Sequence, residues 1–245
     1  MSLTKTSLAE IVKKQYFHKL RANIDAFSAL VGIQVLAVLF SLLGVSSSGT
    51  SGNGLWINVK YYSADGVIIF TLFWAFVTAI TVNTKQNRYH DFTFVTSRVS
   101  SGISNILFLA TAGLLGSITA LLAGNLIKAV LFLSTNQSVY STRSGPEDAL
   151  TGIAVMFFYL LLVSSIGYFI SSLTAFSKVF ILLIPVLIVG MIMLGEAMNN
   201  QFFLNTLEYY VEERNILLFS VKALITACAF YTAGIAVLQR MEVRN

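Results

Sequence analysis

Six apolar stretches, each about long enough to cross a bilayer, occupy most of this 245-residue chain. They run from Ala26 to Gly44, Gly66 to Val82, Ile103 to Leu133, Leu150 to Ile170, Val179 to Leu194 and Ile216 to Leu238. A spanning helix needs roughly 17–25 apolar residues, because each residue rises about 1.5 Å through a hydrocarbon layer about 30 Å thick. The second and fifth stretches lie near the lower limit, and the third exceeds the need, so its ends project beyond the hydrocarbon. The pattern predicts an all-α, polytopic integral membrane protein forming one domain over 1–245. Within it, 1–25 is an interfacial helix, 26–238 a six-span bundle and 239–245 a tail.

The composition excludes an ordinary soluble domain. Hydrophobic residues make up 56% and charged residues only 11% of the chain, and mean hydropathy is +0.77. The net charge of +5 invites a polyanion as partner, but its placement argues for topology instead. Lys5, Lys13, Lys14, Lys19 and Arg21 precede the first span, and Lys85, Arg88 and Arg98 separate the second from the third. Lys178 follows the fourth, and Arg240 and Arg244 follow the sixth. The other side holds Lys60, Arg143 and Arg214, with Lys128 and Lys222 near it inside spans. This bias follows the positive-inside rule with both termini cytoplasmic, in a multi-pass protein of the cell membrane. Membrane lipids are expected as partners and nucleic acid is not.

The basic N-terminus reads as a retained helix, not a cleavable signal, because its apolar run is too long and five more follow. Ser7 and Glu10 have capping-box spacing. Leu8, Ile11, Val12, Tyr16 and Leu20 then follow a helical period with lysines on the remaining face, as in a helix lying on the cytoplasmic leaflet. Cys228, the one cysteine, falls within the sixth span, so an internal disulfide or thiolate cluster is excluded. His18 and His90 lie apart among basic residues, a poor arrangement for a metal. The run from Ser46 to Gly54 reads as a flexible outer tether.

Asn83 to Ser104 mixes Arg88, Asp91 and Arg98 with Tyr89, Phe92 and Phe94. Such a mixture suits either a short helix beneath the bundle that meets a soluble partner or a plain loop with its aromatics in the headgroups. In the third span, Ala112, Gly116, Ala120 and Gly124 recur every four residues. That stripe allows close helix approach, within the chain or between two copies.

The order of these parts resembles a type-2 ABC exporter permease, the transmembrane subunit of a transporter whose ATPase is a separate chain. The residues that carry the resemblance are RYHDFTFVTSR, Arg88 to Arg98, followed by the Gly/Ala-rich VSSGISNILFLATAGLLGS. Many family members have a proline near the Ser-Arg pair, where Val95 and Thr96 stand here. The resemblance implies a cytoplasmic coupling helix that docks in a cleft of the ATPase subunit, using Arg88, Tyr89, His90, Asp91, Phe92, Phe94 and Arg98. It also implies two permeases around a central path, either identical copies or this chain with a paralogue.

None of the sixteen glycines precedes a lysine, so no P-loop is present. This chain is therefore expected to be no enzyme and to bind no cofactor, with ATP and magnesium held by the partner. There is no HExxH motif, and the halves show no convincing inverted repeat of the ion-coupled carrier kind.

Charges in spans are costly, which singles out Lys128, Glu196 and Lys222. All three fall toward the outer ends of their helices. They read either as snorkelling side chains with a structural Glu196–Lys222 pair, or as an outer gate. In the loop from Asn199 to Asn215, Phe203, Leu207 and Tyr210 share one helical face, with Glu208, Glu212 and Glu213 around the other. With Asp65, Glu147 and Asp148 these acids make an acidic outer lip, a guide for cationic cargo or a by-product of topology. Because the middle of every span is uncharged, the expected cargo is hydrophobic or amphipathic: a peptide toxin, bacteriocin or antibiotic. The rival readings are an exporter of lipid, glycan or sodium, and a non-transporting membrane immunity or sensor protein.

Overall fold

The computed structural model describes residues 7–44, 46–52, 55–84, 87, 97–134, 145–197, 208–210, 213 and 215–240; for 46–52, 55–61 and 194–197 it describes the backbone alone. The elements are α1 (Leu8–Ala22), α2 (Ile24–Leu42), β1 (Ser46–Gly52), β2 (Leu55–Tyr61), α3 (Asp65–Val82), α4 (Arg98–Ser134), α5 (Pro146–Phe176), α6 (Val179–Ala197) and α7 (Ile216–Gln239). Five of them, α2, α3, α4, α5 and α7, are long and apolar enough to cross a membrane. The apolar run expected as the fifth span forms α6, which is too short over its described side chains to meet the same measure.

Helix ends follow local chemistry. Ser7 accepts from the Glu10 amide at 3.3 Å and starts α1. Asn23 ends α1, its side chain donating to the Lys19 carbonyl at 2.9 Å, and α2 begins at the next residue. Gly44, at φ 89°, adopts the left-handed backbone after α2 that a side chain would disfavour. Asp148 accepts from the Gly145 amide at 3.0 Å. Asp65, Glu147 and Asp148, expected as part of an acidic outer lip, all lie in the first turn of a helix. There each meets the positive end of a helix dipole.

One expectation about element shape needs correction, and the bounds of two spans need extension. Ser46 to Gly54 was read as a tether, but β1 pairs antiparallel with β2, from Ser46 opposite Tyr61 to Gly52 opposite Leu55. The Ser/Gly strand gains order from its partner, LWINVKY, whose aromatic and β-branched residues favour the extended backbone. A hairpin therefore joins the otherwise helical architecture. Helix α4 has 37 residues and α5 has 31, about 55 Å and 46 Å long at a rise of about 1.5 Å per residue. Both outrun the apolar stretches that marked them.

One end of the bundle gathers α1, the start of α4 and the last turns of α3, α5 and α7; the hairpin lies at the other. One core cluster joins Ala37, Trp74, Ala112, Ala120 and Leu160 from α2 to α5. A second, with Ala79, Phe108, Tyr168 and Tyr231, joins α3, α4, α5 and α7. Outward faces are apolar too: Val31, Val35 and Leu39 on α2 are all more than half exposed, as lipid contact requires. Among the described residues α6 has no buried side chain, and Ile181, Leu182 and Val186 are about 60% exposed or more.

Close packing rests on small residues. A Cβ added to Gly116 would meet Leu160 and Trp74 at 3.4 Å, and one on Gly124 would meet Ala64 at 3.3 Å. Ala112 and Ala120 are buried beside them. The small stripe of α4 thus faces α3 and α5 of the same chain. Within that seam Gln34 donates to Thr71 at 3.2 Å and to the Gly116 carbonyl at 3.5 Å. Such interhelical bonds contribute on average about 0.6 kcal/mol each in membrane proteins.

Candidate functional site

The polar contacts at the α1 end converge on the residues flanking the segment 85–96. Of the expected docking residues, Arg88, Tyr89, His90, Asp91, Phe92 and Phe94 lie outside the described residues. On one side of them, α3 ends at Asn83, which is 1% exposed. Its amide donates to Ser172 of α5 at 3.0 Å, and Ser171 donates to the Ile80 carbonyl at 3.1 Å. On the other side, Arg98 opens α4 and donates from Nη1 to the carbonyl of Leu238 at 2.6 Å and to that of Gln239 at 3.3 Å. A guanidinium at a helix C-terminus bonds its last carbonyls and meets the negative end of the dipole.

One turn into α4, Lys19 of α1 reaches the same region. Its Nζ donates to the Ser101 carbonyl at 3.1 Å, to Ser101 Oγ at 3.3 Å and to Asn105 Oδ1. Lys19 is 5% exposed, so the expectation that the lysines of α1 occupy its outer face fails here. Lys13 and Lys14 are exposed, but Gln15 and Lys19 sit inside the apolar arc, and the buried stripe is Val12, Gln15 and Lys19. A buried ammonium is tolerable only when acceptors replace its water, and α4 supplies them.

The same end carries the tightest seams. Tyr168, fully buried, fills the space left by Gly234, where a Cβ would stand 2.9 Å from its ring. A Cβ on Gly167 would meet the Phe76 carbonyl oxygen at 2.8 Å. Further along, Ser164 and Tyr231 share a hydrogen bond of 2.7 Å between α5 and α7.

At the hairpin end, Lys222 bonds Glu213 and lies 3.7 Å from the centre of the Tyr209 ring. Lys222 thus has Glu213 as an ion-pair partner; the expected Glu196–Lys222 pair cannot be placed, because the Glu196 side chain lies outside the described residues. The Lys222 hydrogen bond, above all, holds the Glu213 carboxyl below its ordinary value, against a smaller upward push from desolvation. Tyr159 of α5 donates to the Tyr210 carbonyl at 2.9 Å, tying the same segment down again. Glu208 and Lys128 are exposed, while Phe203 and Glu212 lie outside the described residues. Among the described residues no group of three His, Cys, Asp or Glu side chains could hold a metal.

Sequence reasoning missed Gln15, Lys19, Ser101 and Asn105 as a unit. A signal was present: two polar residues four apart inside the apolar arc of α1, and an asparagine inside an apolar run. Where α3, α4 and α5 meet, a void of about 10 Å³ is lined by Trp74, Thr78, Ala112, Leu160 and Ser164, room for about one water molecule. No protein-family model, curated protein or solved structure matches this chain.

Proposed function

We propose that this chain is the membrane-spanning subunit of an ATP-driven exporter, with a separate P-loop ATPase docking on Arg88 to Arg98 from the cytoplasm. The observation that supports this reading is the pair of clamps bracketing that segment, Asn83 to Ser172 and Arg98 to Leu238. A push on the segment meets two helix ends that are each joined to another helix. Force is then shared among α3, α4, α5 and α7 instead of bending one loop.

In this reading α6 is the fifth of six spans and both termini face the cytoplasm, as the charge bias favours. The cargo is hydrophobic or amphipathic, a peptide toxin, bacteriocin or antibiotic, and its path lies between two permeases. Close packing of α3, α4 and α5 around Gly116 and Gly167 fits a path outside that seam. ATP and magnesium belong to the partner.

The reading is tested by purifying the tagged chain from its native membranes and assaying ATP hydrolysis in the eluate. A stoichiometric P-loop ATPase, stimulated by this chain, is the expected result. The same tight centre also suits a membrane immunity or sensor protein, which would purify without any ATPase.

A further inference from the structure

From the α1 contacts we infer that α1 is a strap hinged at Asn23 and poised between a closed state on α4 and an open one. Three observations carry this. The hinge is a single residue: Asn23, at φ −109° and ψ 35°, separates two helices and belongs to neither. The latch is Lys19, whose ammonium bonds Ser101 and Asn105 of α4. The opposing element is Gln15, one turn away on the same face, 4% exposed, with both Nε2 and Oε1 lacking a hydrogen-bond partner.

These terms act in opposite directions. Closing strips water from the Gln15 amide and returns nothing to it, which is unfavourable for a buried donor and acceptor. Closing also gives the Lys19 ammonium its acceptors, which are charge-assisted and strong. Opening reverses both, because water then serves the amide and the ammonium alike. An interface meant only to hold would carry leucine at position 15. With glutamine there, the closed state is weakened at its centre, and a modest influence on α1 or on the start of α4 shifts the balance. The residues that Lys19 grips lie three and seven positions after Arg98, so the strap covers the start of the helix that follows segment 85–96. The strap does not depend on the exporter reading, and its test uses no ATPase.

The test measures maleimide labelling of a Val12→Cys reporter, at a position 6% exposed in the closed strap, in the full chain carrying Cys228→Ser and reconstituted in lipid nanodiscs. Gln15→Leu should slow labelling at least tenfold, and Gln15→Met should do the same at nearly equal volume. Lys19→Gln should speed it at least tenfold. An Ala79→Cys reporter, buried between α3 and α5, should stay unreactive in every background. Labelling of Gln15→Leu and Gln15→Met at or above the parental rate overturns the proposal. So does acceleration by Lys19→Gln that Ala79→Cys shares, since that would report general loosening, or no acceleration at all.

Discussion

Arg98, the first residue of α4, donates to the carbonyl oxygen of Leu238 at 2.6 Å and so caps the end of α7 from 140 residues away in sequence. The contact ties the longest helix to the last one at the end where the proposed docking segment enters. Arg98→Gln should destabilise the bundle by about 1–2 kcal/mol, the scale of a charged hydrogen bond at a partly exposed helix terminus. Arg98→Lys should recover part of that. Hydrogen exchange should locate the loss in the last turns of α7, measured with an unfolding titration in mixed micelles.

Glycine contacts predict an order of severity. Gly167→Ala drives a methyl against the Phe76 carbonyl oxygen at 2.8 Å, and backbone cannot move aside as a flexible side chain does. Gly116→Ala meets side chains at 3.4 Å, ordinary contact. The first should cost about 1–3 kcal/mol, as overpacked cores do, and the second less than about 1. Gly116→Leu should block assembly of the bundle. Comparable stability of Gly167→Ala and Gly116→Ala, read from thermal midpoints, would contradict the packing.

The Lys222–Glu213 latch should depend on pH. A carboxyl held below its unfolded value contributes stability above that unfolded value and loses it as pH falls through the folded one. The latch should therefore hold near neutral pH and open only in acid, below the ordinary carboxylate range. Glu213→Gln should flatten the acid limb of the melting profile and leave the neutral one lower than in the parent. An unchanged acid limb would mean that the pair is not maintained in lipid.

Orientation is open to a direct check. In a Cys228→Ser background, cysteines at Ser48 and Asn136 should react with an impermeant thiol reagent applied outside cells, and one at Asn87 should not. The reverse pattern would invert the proposed topology and place segment 85–96 where no cytoplasmic ATPase could reach it.

Apolar run length and turn chemistry made most helices legible in the sequence, because membrane spans must satisfy their backbone internally and declare themselves by length. The Ser7 cap and the overlong third span were readable for that reason. The hairpin was not, since a Ser/Gly strand has no signal of its own until Leu55–Tyr61 is recognised as its partner. Lys222–Glu213 was missed because loop conformation, not spacing along a helix, decides which acid reaches Lys222. The clamps at the α1 end depend on helix pairing, and pairing is hidden when every outward face is as apolar as the core. What composition conceals, the polar residues reveal: Gln15, Lys19, Asn83 and Asn105 all mark contacts between helices.

Docking of an ATPase through Phe92 and Phe94 is the claim on which the proposed function stands, and co-purification tests it most directly. Aromatic anchors in desolvated pockets often cost 2 kcal/mol or more when truncated, roughly a thirtyfold or larger loss of affinity at 1.4 kcal/mol per tenfold. Phe92→Ala with Phe94→Ala should release the ATPase from the tagged chain, or leave its hydrolysis uncoupled, while the variant still inserts and runs at parental size. Full retention of a coupled, active ATPase by the double variant would contradict the account.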